Sequence, residues 1–153
     1  VYESTDASFK MLIKKVLKEH KNFFDLEGFR VIVEKRSKDE PCVSEASIKL
    51  KVDGETAFTV GEGDGPVDAL NMALRRALST FFPSIEGVQL ADYRVNILDP
   101  DEATGARTRV QIESTDGSSN WGTVGVSENI IEASWEALVD VIEYKLFLEE
   151  EQD

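Results

Sequence analysis

Three glycines alternate at positions 61, 63 and 65 in the stretch GEGDGPVDAL, and an apolar helical pattern follows them. Backbone N–H groups in such a turn can bind an anion at the helix start. The stretch is not a P-loop, because no Lys-Ser or Lys-Thr follows, and it lacks the G-x-G-x-x-G spacing of a dinucleotide site. Two interpretations stay open: a sharp strand-to-helix turn whose glycines adopt positive φ, or a site for a small anion such as a carboxylate.

Other side chains that could do chemistry stand in weak contexts. His20 is the only histidine, and the only cysteine, Cys42, has no neighbour that would activate a thiolate. Without a His/Cys cluster or a nucleophile-elbow serine, neither a transition-metal site nor Ser-His-Asp catalysis is expected. The acidic run at Asp99, Asp101 and Glu102 lacks the spacing of a calcium loop. The sequence therefore predicts a binding or assembly module, not an enzyme, with no cofactor and no catalytic residue of its own.

Composition narrows the partners. The 153 residues are 41% hydrophobic, enough for a core, and carry a net charge of −13. Nucleic acid and membrane surfaces are therefore poor partners. A single cysteine excludes an intrachain disulfide and indicates a reducing, cytoplasmic setting. The start, VYESTDASFK, does not read as a signal peptide, and its lack of an initiator Met suggests a fragment of a longer protein.

Hydrophobic periodicity predicts an N-terminal helix and then the same order of elements twice. The predicted elements are a helix over 6–20; strands over 29–35, 46–52 and 56–60; a helix over 66–82; strands over 92–98, 107–113 and 121–126; and a helix over about 128–148. Asp53-Gly54 and Asp116-Gly117 predict hairpin turns. The aromatic residues of the second half are expected in a core or an interface, and the tail EEEQD is expected to be solvated.

The two halves form a repeat. TVGEGDGPVDALNMAL and TVGVSENIIEASWEAL share Thr, Val, Gly, Ala and Leu positions at a shift of 125 − 61 = 64. The fold class predicted is α+β, with two pseudo-twofold-related βββα units after a lead-in helix. The predicted boundaries are 1–27 for the lead-in, 28–88 for the first unit and 89–153 for the second. One unit has too small a core to stand alone, so the two should pack together. Asn129 is predicted to cap the second helix, with Glu132 completing a capping box.

The stretches GEGDGPVDALNMALRRAL, LADYRVNIL and WGTVGVSENIIEASWEALVDVIEYKL resemble the C-terminal regulatory domain of the 2-isopropylmalate synthase family, most of all its citramalate synthase branch. The resemblance implies an upstream TIM-barrel domain that uses a divalent metal and condenses acetyl-CoA with pyruvate. It places the family's metal and catalytic residues in that barrel. It also implies a homodimer that binds the end-product amino acid, which is isoleucine for the citramalate branch and leucine for the isopropylmalate branch.

An amino-acid effector needs three kinds of contact. Its carboxylate can lie on N–H groups from Gly63 to Val67, or at the equivalent turn that begins at Val126. Its ammonium needs an acid, for which Asp92 is the first choice and Asp64 the second. By resemblance, its side chain would lie among Val67, Leu90, Tyr93, Ile97, Ala106 and Val126. The predicted effector-binding residues are Gly61, Gly63, Asp64, Gly65, Pro66, Val67, Leu90, Asp92, Tyr93, Ile97, Ala106, Val126 and Ser127.

Two other functions compete with this one. An assembly module without an effector would dimerise and ignore amino acids. A stand-alone enzyme is disfavoured, because the chain has one peripheral histidine and no acid/base cluster. Only the first turn has three glycines, which favours it over the second as the carboxylate site.

Overall fold

The computed structural model describes residues 7, 9–10, 12–13, 23–98 and 105–152. Two compact units make up the chain. The first, called the N-unit, is Asn22–Glu86. The second, called the C-unit, is Gly87–Asp153 together with Val1–Lys21.

The N-unit is a three-stranded antiparallel sheet with a helix packed mainly on its second and third strands. Its elements are β1 (Asp25–Glu34), β2 (Val43–Val52), β3 (Glu55–Gly63), α1 (Pro66–Leu78) and a 3-10 helix (Pro83–Gly87). Alternation along β2 buries Ile48 and Leu50 and leaves Lys49 exposed, so one face of the sheet forms the core. Asp53 and Gly54 both have positive φ, at 50° and 82°, which confirms the predicted two-residue hairpin turn.

The C-unit repeats this arrangement. Its elements are β4 (Gln89–Leu98), β5 (Arg107–Thr115), β6 (Asn120–Ser127) and α2 (Ile130–Gln152). Its sheet has the order β4-β5-β6, and α2 packs on β5 and β6. The repeat extends to irregular details, since the register shifts between Leu26 and Gly28 in β1 and between Leu90 and Asp92 in β4. The predicted α+β class with two βββα units is confirmed.

The helices sit on their sheets through matching contacts. The hydroxyl of Thr59 donates to the carbonyl oxygen of Ala73 at 2.7 Å. Its counterpart, Thr123, donates to the carbonyl oxygen of Ala137 at 2.9 Å. Each bond joins the middle of the last strand to the middle of the following helix. The helix is therefore fixed to its strand at equivalent positions in the two units.

The helix ends differ from the predictions. α1 stops at Leu78, four residues early, because Phe81 and Phe82 donate backbone bonds to the Leu78 carbonyl in a tight turn before Pro83. α2 begins at Ile130 and continues to Gln152, where a solvated tail was expected. An ion pair between Lys145 and Glu149, one turn apart, supports the extension. The predicted core placement of the second half's aromatic residues is confirmed for Trp121, Trp135 and Tyr144.

The predicted lead-in helix over 6–20 lies mostly outside the described residues. The described members, Ala7, Phe9, Lys10, Leu12 and Ile13, are helical. The remainder, including His20, lies outside the described residues, as does the acidic run at Asp99, Asp101 and Glu102.

Candidate functional site

The turn from β3 into α1 leaves the helix start open. Gly65 is the N-cap residue in an extended conformation, with φ −141° and ψ 172°, and Pro66 is the first helical residue. The carbonyl of Gly65 accepts the first helical bond from the N–H of Ala69 at 3.1 Å. Among the described residues, no side chain caps this end, so the N–H groups of Val67 and Asp68 have no side-chain acceptor. These N–H groups form the positive end of the helix dipole.

The equivalent turn from β6 into α2 is closed by its own side chains. Asn129 Oδ1 accepts from the N–H groups of Ile131 and Glu132, at 2.8 and 3.2 Å, which confirms the predicted cap. The capping box closes through an intermediary. The Asn129 N–H donates to Ser127 Oγ at 3.1 Å, and that hydroxyl donates to Glu132 Oε2 at 3.3 Å. The backbone N–H groups of Ile131 and Glu132 therefore already have an acceptor, and neither is available to a ligand.

A second carboxylate also occupies the β6 turn. The N–H of Val126 donates to Glu136 Oε2 at 3.0 Å. The N–H of Val126 is one of the donors that could bind an effector carboxylate at this turn. The carboxylate of Glu136 already accepts its hydrogen bond.

The glycines of the first turn serve two different purposes. A Cβ on Gly61 would lie 2.5 Å from the backbone N of Ala73, and one on Gly63 would lie 2.7 Å from the N of Ala69. These two glycines lie in β3 and let the strand approach α1 closely. Gly65 has open space around the position of a Cβ. The expected positive φ is wrong for all three, because the described glycines with positive φ are Gly54 and Gly117.

The predicted residues of β4 divide between the two faces of the sheet. Leu90, Tyr93 and Ile97 share the face that carries the helix, because the bulge brings Leu90 into phase with Tyr93. Tyr93 is 38% exposed and Ile97 is 65% exposed, so this apolar strip is open. Asp92 lies on the opposite face and accepts a bond from Arg94 Nε at 2.9 Å.

The remaining predicted residues also separate by face. Ser127 is paired with Thr108, which is paired with Ile97, so Ser127 lies on the helix side. Val126 is paired with Arg109 on the other side, and Ala106 precedes β5. The helix side of the C-unit sheet therefore carries Leu90, Tyr93, Ile97 and Ser127, and the other side carries Asp92 and Val126.

One buried ion pair of the C-unit escaped sequence reasoning. Lys145 Nζ lies 2.7 Å from Asp116 Oδ2, and the two side chains are only 15% and 10% exposed. Burial raises the pKa of Asp116, but bonds from Lys145 and from the N–H groups of Ser119 and Ser118 outweigh it and hold the pKa below 3.8. Burial lowers the pKa of Lys145, but Asp116 and then Glu149 outweigh it and hold the pKa above 10.5. The sequence showed Asp116 only as a turn residue.

Within the described parts of the chain, three or more His, Cys, Asp or Glu side chains nowhere gather in a way that could hold a metal ion. No helix in those parts is both long enough and apolar enough to cross a bilayer.

The open and closed turns occur in a sequence that matches one family over most of its length. The model for the LeuA allosteric (dimerisation) domain matches residues 3–146. The chain belongs to this family. It is 51% identical over 150 residues to an (R)-citramalate synthase of Geobacter sulfurreducens, a match that covers 98% of the chain and 28% of that protein. An (R)-citramalate synthase of Aquifex aeolicus is 48% identical, with coverage of 99% and 29%.

A more distant relative belongs to the other branch. A 2-isopropylmalate synthase of Shewanella sediminis is 32% identical over 97 residues, which is 63% of the chain and 17% of that enzyme. The chain spans less than a third of the length of each of these relatives. This LeuA-type domain is thus more similar to the citramalate synthases than to that 2-isopropylmalate synthase.

Proposed function

We propose that this domain binds isoleucine as a feedback inhibitor and dimerises as the regulatory part of a citramalate synthase. The observation that carries the proposal is that the N-terminus of α1 is open, whereas the equivalent N-terminus of α2 is capped. A structural turn needs no open start, since the C-unit satisfies the same turn with Asn129.

The effector carboxylate is proposed to bind at Gly65, Pro66 and Val67. Unsatisfied N–H groups and the helix dipole favour a negative charge at this point, typically by about 0.3–1 kcal/mol for the dipole alone. Gly65 carries no side chain that would block the approach, and it has open space around it. Gly61 and Gly63 would act indirectly, by setting the position of α1 against β3.

The ammonium is better served by Asp64 than by Asp92. The carboxylate and the ammonium of an amino acid are separated by one carbon, so their partners must be close together. Asp64 directly precedes Gly65 and is exposed. Asp92 is paired with Arg94 and lies on the face of β4 opposite Tyr93.

The C-unit, taken by itself, carries an open apolar strip that can bind an aliphatic side chain. Leu90, Tyr93 and Ile97 offer an apolar surface that is not fully covered by their own helix. Burial of a branched side chain is worth roughly 1.5–3 kcal/mol, while one methyl group distinguishes close analogues by about 1 kcal/mol. The strip therefore suits both isoleucine and leucine, and leucine is the alternative effector.

The rest of the protein is proposed from the relatives' names. Two relatives near 50% identity are called (R)-citramalate synthase. We propose an attached acetyl-CoA-dependent acyltransferase domain, a TIM barrel with a divalent metal, that acts on pyruvate in the cytoplasm. Effector binding would lower its activity, and by linkage any effect on substrate affinity is reciprocal.

Calorimetric titration of the 153-residue chain with isoleucine, leucine and valine tests the proposal. Isoleucine should give the largest heat, and saturation at about 100 times Kd should stabilise the fold by about 2.7 kcal/mol. A response to leucine alone would favour the isopropylmalate branch. No heat and no stabilisation from any of the three at millimolar concentration would favour the assembly module and contradict the sensing role.

A further inference from the structure

The two edges of the N-unit sheet differ in how they are covered. In the strand order β1-β2-β3, both β1 and β3 are edge strands. Arg76 Nη1 of α1 donates to the carbonyl oxygen of Val60 at 2.7 Å, so a helix side chain takes up a backbone acceptor of β3. Among the residues that the structure describes, no strand pairs with the edge of β1 that lies away from β2. Such an edge is a template for pairing with another chain.

The part of β1 after its bulge is regular and carries apolar side chains on both faces. The register with β2 shifts between Leu26 and Gly28 and then runs without interruption to Glu34. This stretch contains no proline, which would prevent pairing. Ile32 is 42% exposed and Val33 is 56% exposed, and successive side chains lie on opposite faces of the sheet. A further strand beside β1 would cover apolar surface on each face.

The charges of β1 select one register in which two copies can pair. When Ile32 lies opposite Ile32 of a second copy, antiparallel pairing brings Arg30 of each chain opposite Glu34 of the other. On the face that carries α1, the same register brings Val31 opposite Val33. A register centred on Arg30 would bring two guanidinium groups together, which is destabilising. Registers centred on Val31 or Val33 leave Arg30 without a carboxylate opposite it.

Both charged side chains are available for this contact. Arg30 has no hydrogen bond or ion pair to any other described residue. Glu34 uses Oε1 to accept from Arg36 Nε at 3.1 Å, and the two side chains are more than half exposed. An exposed ion pair of this kind holds its members weakly, so Glu34 can also accept from a second guanidinium group.

The equivalent strand of the C-unit lacks this self-complementarity. At a shift of 98 − 34 = 64, Arg94 and Leu98 of β4 stand at the positions of Arg30 and Glu34. Arg94 Nε already donates to Asp92 at 2.9 Å, and the side chain of Leu98 offers no acceptor. Pairing of β4 with a second β4 in the same register would therefore gain no ion pair.

We propose that β1 of one chain pairs antiparallel with β1 of a second copy, about a two-fold axis at Ile32, so that two N-unit sheets join into one sheet of six strands. Two-fold symmetry forms each Arg30–Glu34 contact twice and closes the assembly at two chains. This inference rests on the dimer of the proposed function and is independent of effector binding.

Disulfide trapping tests the pairing in the 153-residue chain, with Cys42→Ser as background because Cys42 is exposed. Ile32→Cys should form a disulfide between chains at least about tenfold faster than Arg30→Cys. In the proposed register the two Cα atoms at position 32 lie about 4.5–5.5 Å apart, whereas those at position 30 lie about 13 Å or more apart, beyond the reach of a disulfide. Equal rates at the two positions, or faster trapping of Arg30→Cys, would overturn the pairing.

Light scattering after size-exclusion chromatography separates the two ways in which the proposals can fail. A monomeric chain would contradict the dimer of the proposed function and this pairing together. A dimer in which Ile32→Cys is not trapped would overturn the pairing of β1 and leave the dimer standing.

A charge exchange gives a second readout. Arg30→Glu and Glu34→Arg should each raise the dissociation constant of the dimer about tenfold at low salt, because symmetry alters two contacts at once. The double variant should return the constant towards its original value. Sedimentation velocity measures the constant, and circular dichroism verifies that the variants are folded.

Arg94→Glu, at the equivalent position of β4, is the matched control and should leave the dissociation constant unchanged. A double variant of Arg30 and Glu34 that dimerises no better than the singles would contradict the pairing. Rescue of Glu34→Arg by Arg94→Glu would also overturn it, because β1 would then pair with β4 of the second copy.

Discussion

The two strand-to-helix turns occupy equivalent positions in the repeat, and each is followed by a helix that is bonded to the preceding strand in the same way. They differ at the helix start, which is capped by side chains in one turn and uncapped in the other. At the β6–α2 turn, Asn129, Ser127 and Glu136 satisfy donors from within the chain. At the β3–α1 turn, Gly65 stands at the position of Asn129 and offers no side-chain acceptor. The turn itself therefore does not require Gly65, since the second turn makes the same connection with Asn129 at that position.

The two turns do share one requirement for glycine. A Cβ on Gly125 would lie 2.0 Å from the carbonyl oxygen of Ala133, as a Cβ on Gly61 would crowd Ala69 and Ala73. The two units thus share the close contact between strand and helix, and they differ at the helix start.

The largest expected effect concerns this shared contact. Gly125→Ala and Gly61→Ala should each destabilise the fold by about 3 kcal/mol or more, because backbone atoms of the helix must move. Urea denaturation measures the change, with Gly87→Ala as a control where a Cβ meets nothing. A loss below about 1 kcal/mol at both sites would show that the helices are not held this closely.

The next effect separates the two hairpins. Asp116→Asn should lower the free energy of unfolding by about 1–2 kcal/mol, a value between those of exposed and buried ion pairs. Asp53→Asn, in the exposed turn of the N-unit, should leave the free energy of unfolding almost unchanged.

The pH dependence checks the same pair. The pKa of Asp116 is lowered in the folded protein. The ionised carboxylate therefore contributes fully to the free energy of unfolding above pH 3.8, and this contribution is lost as the pH falls through the folded-state pKa. The pKa of Lys145 is raised in the folded protein. The charged ammonium therefore contributes fully to the free energy of unfolding below pH 10.5, and this contribution is lost as the pH rises through the folded-state pKa. Asp116→Asn should flatten the acid limb in urea titrations at pH 2–5. An unchanged acid limb would contradict this role.

A smaller effect tests the cap directly. Asn129→Ala should lower stability by about 1 kcal/mol, because Ile131 and Glu132 lose their acceptor. Gly65→Ser, which adds a side-chain acceptor at the open turn, should instead raise stability by a few tenths of a kcal/mol. Equal losses at the two positions in thermal denaturation would remove the contrast between the turns.

Sequence reasoning recovered the repeat because alternation and helical periodicity are local signals. It also recovered Asn129, since capping depends on residues within one turn. It missed the roles of Gly61 and Gly63, which depend on how closely β3 approaches α1. The end of α1 at Leu78 was missed because the apolar pattern continues through Phe81 and Phe82 in a tight turn.

The candidate site was harder to predict for a related reason. Period-two alternation places Asp92 opposite Tyr93, but the bulge between Leu90 and Asp92 gives no clear sequence signal. The pairing of Asp116 with Lys145 joins residues 29 positions apart, beyond any local pattern.

The open start of α1 is the proposed binding site of the effector carboxylate. Gly65→Asn converts this turn to the chemistry of the Asn129 turn, by placing a side-chain oxygen on the N–H groups of Val67 and Asp68. Calorimetry should detect isoleucine binding to the unaltered chain and to Gly87→Asn, but none to Gly65→Asn, which should be slightly more stable. Isoleucine binding to Gly65→Asn with unchanged affinity would contradict carboxylate binding at this turn.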